Sequence, residues 1–414
     1  MADTPHQHIN TPTHQHTNTL IHPDEIKSLS ADIHADVIKL RRQLHANPEL
    51  SFEEYKTCAF VKDQLDNLGI AWKAVAETGV LASIVGERSS DDVIALRADM
   101  DALPIQELNK VPYVSQNPNV MHACGHDFHT SSLLGTARIL NSLKNTFKGT
   151  IKFFFQPGEE VIPGGASLMI RDGVLENPRV GAVLGQHAMP RLEVGKIGLR
   201  KGKHMASMDS LFVRIVGRGG HGAQPHLNID PVVIASHVII ALQQIVSRIA
   251  HPGDPTVLSF GKVIANGAIN VIPDEVYMEG TFRAMNETWR NEAHRRMTRM
   301  AVEIAESMGA KCDFRIQRGY PFLVNEEKLT EQVRTHAANY LGEENVIEED
   351  IWMAAEDFAY YSQVADSCFY LCGVGNKEKG IQSSLHTPTF DIDENALAVS
   401  TGLMAYLALK RLGN

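Results

Sequence analysis

Residues 122–127 have the sequence His-Ala-Cys-Gly-His-Asp, which places a thiol between two imidazoles. A thiolate and imidazole nitrogens this close together suit a divalent transition metal such as zinc, nickel, cobalt or manganese. Further residues of metal-ligand type follow at Glu159, Glu160, His187 and His386. Cysteine, histidine and adjacent carboxylates in one chain indicate metal-assisted hydrolysis rather than a purely structural metal site.

The adjacent carboxylates Glu159 and Glu160 can divide two chemical roles between them. Neighbouring side chains in an extended segment point to opposite sides, so one carboxylate can coordinate metal while the other accepts a proton from water. A solvated acidic loop is the alternative, which the preceding Gln-Pro-Gly at residues 156–158 also permits. A thiol hydrolase with Cys124 as its nucleophile is a second alternative, but it has no obvious place for two adjacent glutamates.

Each group of polar side chains follows a short β-rich run. Residues 93–98 precede two aspartates, residues 151–155 precede the glutamate pair, and residues 180–184 precede His187. These runs alternate with helical segments, which predicts an α/β sheet covered by helices. Because sites in open α/β sheets form beyond the carboxyl ends of strands, we expect the three groups to meet at one edge of the sheet.

A chain of 414 residues is too long for one ordinary core, so we expect two domains. A β-α-β-β-α-β pattern predicts a ferredoxin-like unit over residues 205–321. This unit would be inserted into a catalytic domain made of residues 31–204 and 322–414. Residues 1–30 are polar and rich in histidine, and we expect a disordered tail there, with the first helix beginning near Ala31.

Charge and cysteine content exclude several classes of partner. The net charge of −10 argues against nucleic acid and against an anionic membrane surface. Five scattered cysteines suit a reducing compartment, and the first thirty residues show no apolar secretory segment, so we expect a cytoplasmic protein. The most apolar stretch, residues 229–246, includes Asp230 and His237, which predicts a buried or interfacial helix rather than a membrane span.

A series of motifs covers nearly everything after the tail. They occupy residues 41–45, 48–54, 96–104, 121–127, 155–160, 219–226, 270–274, 280–283 and 356–358. In content and order they resemble the amidohydrolase branch of the aminoacylase and carboxypeptidase metallopeptidases. That branch includes hippurate hydrolase, the plant auxin-amino-acid conjugate hydrolases and N-acyl-L-amino-acid amidohydrolases. The resemblance implies a zinc-aminopeptidase-like mixed sheet flanked by helices, with an inserted ferredoxin-like lid that usually forms a dimer.

Position by position, the resemblance implies that Cys124, His126, Glu160, His187 and His386 are metal ligands. It further implies that these side chains bind two divalent ions. Zinc, manganese, nickel and cobalt all remain candidates, because a set of sulfur, nitrogen and oxygen ligands admits several metals.

The resemblance also implies roles around the metals. Glu159 becomes the general base and the proton shuttle to the leaving amine, and Asp101 orients a ligand. His221 becomes the oxyanion-stabilising residue, often supplied by the partner subunit of a homodimer or higher homo-oligomer. Asn270 and Arg283 match residues that hold the substrate, and the Arg283 guanidinium suits a free α-carboxylate.

Three acidic residues are less clearly assigned. Related peptidases carry His-x-Asp where this chain has Asp99-Met100-Asp101, so Asp99 has no role by resemblance. Glu356 and Asp357 match acidic residues near the family's site, and their contact with metal is left open.

The expected reaction is hydrolysis of the amide bond of an N-acyl-L-amino acid, which yields a carboxylic acid and a free amino acid. A carboxypeptidase or dipeptidase on the same scaffold is the first alternative. A metal-loaded binding module is the non-enzymatic alternative, although binding alone needs no general base at Glu159.

Overall fold

The computed structural model describes residues 21–413 and contains two units. The larger unit is built on an eight-stranded mixed sheet and the smaller unit on a four-stranded antiparallel sheet. The prediction of a mixed sheet flanked by helices is confirmed. The tail predicted at the start of the chain lies mostly in residues 1–20, outside the described residues.

The first part of the larger unit alternates helices with strands. Its elements are α1 (Pro23–Ala46), α2 (Tyr55–Asn67), β1 (Trp72–Val75), β2 (Gly79–Val85), β3 (Arg88–Asp99), α3 (His126–Ser142), β4 (Lys148–Gln156), α4 (Gly165–Arg171), β5 (Ala182–Glu193), β6 (Ile197–Leu199) and β7 (Gly202–Met205).

Helix α1 begins eight residues before the start predicted near Ala31, so the predicted tail boundary at residue 30 is wrong. Pro23 occupies the first turn, where its fixed φ suits a helix and its missing N–H costs nothing. Asp24 and Glu25 place negative charge at the positive end of the helix dipole. These start signals were overlooked because they directly follow the histidine-rich stretch.

The smaller unit follows. Its elements are β8 (Asp209–Val216), β9 (Gly220–His221), α5 (Pro231–Gln244), β10 (Thr256–Ile264), β11 (Val271–Ile272), β12 (Glu275–Ala284), α6 (Glu287–Ser307) and β13 (Lys311–Arg318). The four long strands lie in the order β10-β12-β8-β13. Alternate residues of β8 are buried against α5 and α6, as the two-residue period of a strand with one covered face requires.

Helix α5 continues into a π-helical turn, Ile245–Ile249. By length and composition alone, the combined segment Pro231–Ile249 is apolar enough to cross a membrane, with a mean hydropathy of 1.7. One side of it packs into the core of the smaller unit through Ile234, Val238 and Leu242. Its other side leaves apolar residues exposed, including Ile240 at 70%.

The last part of the chain completes the larger unit. Its elements are β14 (Leu323–Asn325), α7 (Glu327–Leu341), β15 (Val346–Glu348), α8 (Ala359–Ser362), β16 (Asp366–Gly375) and α9 (Asn395–Arg411).

The large sheet has the order β1-β2-β4-β3-β5-β16-β6-β15, and its central strands β4, β3, β5 and β16 are parallel. Both faces of these strands are buried, one under α1, α3 and α9 and the other against α4 and α8. Strand β5 runs on to Glu193, so His187 lies within it and not after it as predicted. The extension is stabilised by β16, whose Leu371 pairs with His187.

Two chain segments join the units, and they pair with each other. The N–H of Met208 donates to the oxygen of Tyr320 at 3.1 Å, and the N–H of Gly319 donates to the oxygen of Met208 at 2.9 Å. Arg290 on α6 donates to the oxygens of both Met208 and Gly319 and also to the buried carboxylate of Asp209. One guanidinium therefore fixes both crossing segments.

Candidate metal centre

A sharp turn before α3 directs two candidate ligands toward the edge of the sheet. At its centre Gly125 has a φ of +87°, and a Cβ atom there would lie 2.7 Å from the Cβ of Ala188, so glycine is required. Cys124 and His126 on either side are buried. Nδ1 of His126 lies 2.8 Å from the backbone oxygen of Asp101. Donation there leaves the lone pair of Nε2 for a metal, and that atom has no hydrogen-bond partner within residues 21–413.

Two further histidines converge on the same thiol. Sγ of Cys124 is 3.4 Å from Nε2 of His187 and 3.3 Å from Nε2 of His386. The His187 ring is oriented by its Nδ1, which donates to the oxygen of Ala188 at 2.8 Å. His386 has a φ of +59°, a left-handed conformation that is costly for a residue with a Cβ. Its N–H donates to the oxygen of Ala123 at 2.8 Å and holds it beside the thiol.

Glu160 and Asp101 connect these ligands to the ends of two strands. Glu160 Oε1 lies 3.3 Å from Nε2 of His386. Asp101 Oδ2 accepts the N–H of Glu160 at 2.9 Å and the hydroxyl of Ser51 at 2.6 Å. Since Asp101 also contacts His126, one carboxylate orients two candidate ligands.

Glu159 lies on the buried side of this loop. Its Oε1 accepts the N–H of Asp357 at 3.3 Å, and its backbone oxygen accepts the hydroxyl of Tyr320. Its carboxylate forms a cluster with those of Glu356 and Asp357, in which one oxygen from each residue lies within 4.8 Å of the other two. Burial, followed by the neighbouring charges of Glu356 and Glu160, raises the pKa of Glu159 well above its usual value.

The site gathers negative charge. Burial raises the pKa of Glu356 to about 8 against the opposing effect of Arg97. Burial lowers the pKa of His126, but the carboxylates of Asp99 and Asp101 outweigh it and raise the value to about 10. The pKa of a carboxyl group and that of an imidazole are both raised here, as expected where carboxylates are concentrated at a strongly negative potential. A bound multivalent cation would offset that potential.

The predicted ligands form two overlapping groups. Ligand atoms of Cys124, His126 and His187 lie within 4.8 Å of one another, and so do those of Cys124, Glu160 and His386. The thiol belongs to both groups. Sulfur, nitrogen and oxygen donors around one pocket, with a free imidazole nitrogen and excess negative charge, fit two divalent transition-metal ions.

A buried network behind the ligands was not predicted from the sequence. Asp99 accepts hydrogen bonds from Arg97 and from Nδ1 of His129, and Nε2 of His129 accepts the N–H of Ala188 at 2.7 Å. Two signals pointed to it. Arg97 is a charge inside an otherwise apolar β-rich run, and His129 follows His126 by nearly one helical turn. Asp99, which the resemblance left unassigned, is the centre of this network.

The same guanidinium holds the other two unassigned carboxylates. Nη2 of Arg97 donates to Glu356 at 2.9 Å and to Asp357 at 2.8 Å. Arg97 is completely buried, so its charge is the internal counterion of the acidic cluster around Glu159.

The three predicted residues of the smaller unit lie apart from this cluster. His221 on β9 is exposed, and its Nδ1 accepts the N–H of Ala223 at 3.1 Å. The oxygen of Asn270 accepts the N–H of Gly222, so Asn270 and His221 are neighbours. Arg283 lies on β12 and is half-buried. Within residues 21–413, none of the three has a hydrogen bond to the five candidate ligands.

Comparison with known proteins assigns the chain to one family of hydrolases. The model of peptidase family M20/M25/M40 matches residues 95–410, which include all five candidate ligands. An N-acyl-L-amino acid amidohydrolase from Geobacillus stearothermophilus is 46% identical over 303 residues, 73% of this chain and 81% of the relative. An N-acetyl-L-cysteine deacetylase from Bacillus subtilis is 41% identical over 377 residues, 91% and 88% of the two chains.

A solved structure shows the same arrangement of the chain. It is a dinuclear metal-binding peptidase of the M20 family from Bacillus subtilis, with 36% sequence identity and a TM-score of 0.79. The match covers 92% of this chain and 99% of the other.

Proposed function

The chain belongs to peptidase family M20/M25/M40. Because it is similar to an N-acyl-L-amino acid amidohydrolase and to a dinuclear metal-binding peptidase, we propose that it hydrolyses the amide bond of N-acyl-L-amino acids. The products would be a carboxylic acid and a free amino acid. The observation that carries the proposal is the pair of ligand groups that share Cys124 beside the buried carboxylate of Glu159.

Each residue of the centre has a defined task in this proposal. Two divalent ions, held by Cys124, His126, Glu160, His187 and His386, would polarise the acyl carbonyl and acidify water when bound. Glu159 accepts the proton of the attacking water and returns it to the leaving amine, a role that suits a carboxylate with a raised pKa. Asp101 holds the His126 ring and the backbone of Glu160 in place.

The smaller unit supplies the substrate contacts in this proposal and acts as a lid. His221 would donate a hydrogen bond to the oxyanion of the tetrahedral intermediate. Asn270 would bind the amide, and Arg283 would bind the α-carboxylate through its planar fork. Burial lowers the pKa of Arg283 against the opposing charge of Asp209. Within residues 21–413 the guanidinium forms no ion pair, so it is available to a substrate carboxylate in this proposal.

The decisive experiment measures release of free amino acid from hippurate and N-acetyl-L-methionine. Metal-replete protein, chelator-treated protein and Glu159→Gln are assayed together, with Glu53→Gln as an exposed control. We expect chelation to abolish turnover and Glu159→Gln to lower kcat by about 10²- to 10⁴-fold with metal still bound. Full activity in chelator would refute the proposal and favour a thiol hydrolase.

Two observations weigh on the alternatives. The solved relative is described as a peptidase, so a carboxypeptidase or dipeptidase activity remains the second candidate, and dipeptides in the same assay separate it. Burial, followed by the charge of Glu160, raises the pKa of the Cys124 thiol well above its usual value. A reactive cysteine requires the opposite shift, which disfavours the thiol hydrolase.

A homodimer is part of the proposal. Strand β10 forms a free edge of the smaller sheet, and the exposed apolar residues of α5 and β10 lie in the same unit. These residues are Val232, Val233, Ile240, Val263 and Ile264. An unpaired edge beside exposed apolar side chains favours association. Sedimentation velocity should give twice the 45.7 kDa of one chain.

A cytoplasmic location is also proposed. All five cysteines are free, and four of them are buried. Free thiols are typical of a reducing compartment. Fractionation of cells that express the chain would test this, and recovery outside the cytoplasm would contradict it.

A further inference from the structure

Two adjoining cavities lie beside the candidate metal centre. The first, of about 280 Å³, is lined by four of the five candidate ligands, by Glu159 and by apolar residues that include Met205, Trp352 and Leu385. The second, of about 360 Å³, is lined by Met189, Pro190, Arg191 and again by Trp352 and Leu385. The two cavities therefore share a wall of two large apolar side chains.

The shared wall has a fixed position relative to the ligands. The N–H of Trp352 donates to the oxygen of His204 at 2.9 Å, and its own oxygen accepts the N–H of Ala206 at 3.2 Å. The Trp352 ring meets the His187 ring edge to face, with centroids 6.0 Å apart. Leu385 directly precedes the candidate ligand His386. A group bound against this wall would therefore lie next to the reacting carbonyl.

We propose that the two cavities together bind a large apolar acyl group of the substrate, at least the size of an aromatic ring. This inference rests on the proposed function. All lining residues of both cavities lie outside the smaller unit, to which Asn270 and Arg283 assign the amino-acid half of the substrate. The acyl half of the substrate would then bind against the cavity wall in the larger unit.

The size of the space supports a large group. Small-molecule sites typically measure about 300–1,000 Å³. The first cavity alone falls just below that range and the second lies at its lower end, whereas the two together lie well inside it. An acetyl group would leave the surfaces of Trp352 and Leu385 in water, whereas an aromatic ring would cover them. Buried apolar surface contributes about 25 cal/mol per Å², so the acyl group should affect kcat/KM strongly.

The test compares N-acetyl-, N-benzoyl- and N-phenylacetyl-L-methionine with metal-replete protein. We expect kcat/KM for the aromatic substrates to exceed that for the acetyl substrate by about tenfold or more, the range for extra apolar groups in a pocket. Trp352→Ala and Leu385→Ala should each lower the aromatic-to-acetyl ratio several-fold. Trp352→Phe should lower it less. Val364→Ala, at an exposed apolar position, should leave the ratio unchanged.

The possible outcomes distinguish a failure of the proposed function from a failure of the acyl subsite alone. Absence of turnover for all three substrates would refute the proposed function itself. Turnover with an equal or higher kcat/KM for the acetyl substrate, and an unchanged ratio in both alanine variants, would overturn only the acyl subsite. A second series keeps the acetyl group and varies the amino acid. If Trp352→Ala instead changes the relative kcat/KM values within that second series, the cavities bind the amino-acid half and the subsite assignment is wrong.

A separate observation concerns Glu54, in the motif of residues 48–54 that the proposed function does not use. The Glu54 side chain is completely buried. Its Oε1 accepts the N–H of Gly158 at 2.7 Å and that of Phe52 at 2.9 Å, and its Oε2 accepts the hydroxyl of Thr78 at 2.7 Å. Within residues 21–413 it forms no ion pair. An unpaired buried carboxylate is costly for the fold.

The backbone around Gly158 indicates why a buried carboxylate is present at Glu54 despite its cost to stability. Gly158 has a φ of +54°, and a Cβ atom there would lie 2.3 Å from the Phe52 ring. The residue that follows it is Glu159. The hydrogen bond from the N–H of Gly158 to Glu54 therefore fixes the direction in which the Glu159 side chain extends from the backbone. We infer that Glu54 is a positioning residue for Glu159.

The test measures kcat, KM, metal content and thermal unfolding for Glu54→Ala and Glu54→Gln, with exposed Glu53→Gln as the control. We expect Glu54→Ala to lower kcat at least tenfold with KM and metal content unchanged, because small displacements of a catalytic group cost up to about 10²-fold. Glu54→Gln keeps an acceptor oxygen and should recover most of the rate. A lower unfolding temperature with unchanged kcat in both variants would show a structural role only and overturn the inference.

Discussion

The metal centre and the smaller unit differ in how their candidate residues are held. The five candidate ligands come from strands, turns and the start of a helix around one sheet, and most of them are buried. They form two groups that share Cys124, and within each group the ligand atoms lie within 4.8 Å of one another. His221 and Asn270 are exposed on a separate unit that two short segments join to the first. The candidate ligands are thus already assembled, whereas in the proposed mechanism His221 and Asn270 would reach the site by domain motion or from a partner subunit.

The difference follows from what each region must do. A pair of metal ions requires donors fixed to within a few tenths of an ångström, and a sheet buried on both faces provides that rigidity. Substrate must enter and product must leave, so the groups that surround it gain from being on a movable unit. Breaking the first region should therefore abolish chemistry, whereas breaking the second should affect turnover or binding selectively.

The largest effect is expected at the thiol shared by the two ligand groups. Cys124→Ala should lower activity at least about 10³-fold, because a bound metal ion contributes several kcal/mol to transition-state stabilisation. Metal analysis should show that occupancy falls in parallel. Val364→Ala, at an exposed position outside the smaller unit, is the control. Full occupancy of both sites in Cys124→Ala would contradict the role of the thiol.

Much of the centre could be predicted from the sequence, because the residue types and the ends of β3 and β4 were readable. Three features were not. Glu193 ends a strand expected to stop at residue 184, because pairing with β16 extends it. Arg97 and His129 were missed, since their partners are distant in the chain. The separation of His221 from the ligands depends on the junction between the units, which no local pattern encodes.

His221→Ala should have the second-largest effect, lowering kcat by about 10²- to 10³-fold, the loss typical of an oxyanion donor. Metal content should be unchanged, since among the described residues His221 has no hydrogen bond to any of the five candidate ligands. Mixing His221→Ala with Glu159→Gln then tests whether the histidine acts across a dimer. Recovery of about a quarter of wild-type activity is expected for a residue supplied by the second protomer. No recovery after subunit exchange would place His221 in the site of its own chain.

Arg283→Ala should have a smaller and more selective effect. We expect KM to rise by about 10- to 10²-fold for substrates with a free carboxylate, because a hydrogen bond to a charged group is worth about 1.5–3 kcal/mol. Arg283→Lys should restore the charge but not the planar fork, and so recover only part of the loss. An equal loss on an ester-capped substrate would argue against carboxylate binding.

Asp209→Asn should have the smallest effect on turnover and a clear effect on stability. Burial raises the pKa of Asp209, but hydrogen bonds from His294 and Arg290 outweigh it and lower the value. A lowered native pKa means that the stabilisation is complete above the unfolded pKa of about 3.9 and is lost as pH falls through the native value. We expect the free energy of unfolding to fall by about 3–5 kcal/mol at pH 7, because removing one partner of a buried pair leaves the other charge uncompensated.

Thermal unfolding at several pH values measures this difference. The difference in free energy of unfolding between wild type and Asp209→Asn should be largest at pH 7 and should decrease below about pH 4. Exposed Asp313→Asn is the control on the neighbouring strand. A gap independent of pH down to acid unfolding would show that the carboxylate charge is not what stabilises the junction.

The hydroxyl of Tyr320 has a consequence for the timing of the reaction. Tyr320 follows the last strand of the smaller unit, and its hydroxyl donates a hydrogen bond to the backbone oxygen of Glu159, the proposed general base. Rotation of the smaller unit about the junction would displace that hydroxyl and with it the loop that carries Glu159. In the proposed mechanism, movement of the smaller unit would therefore be transmitted to Glu159, because this one hydrogen bond links the junction between the units to the loop that carries the proposed base.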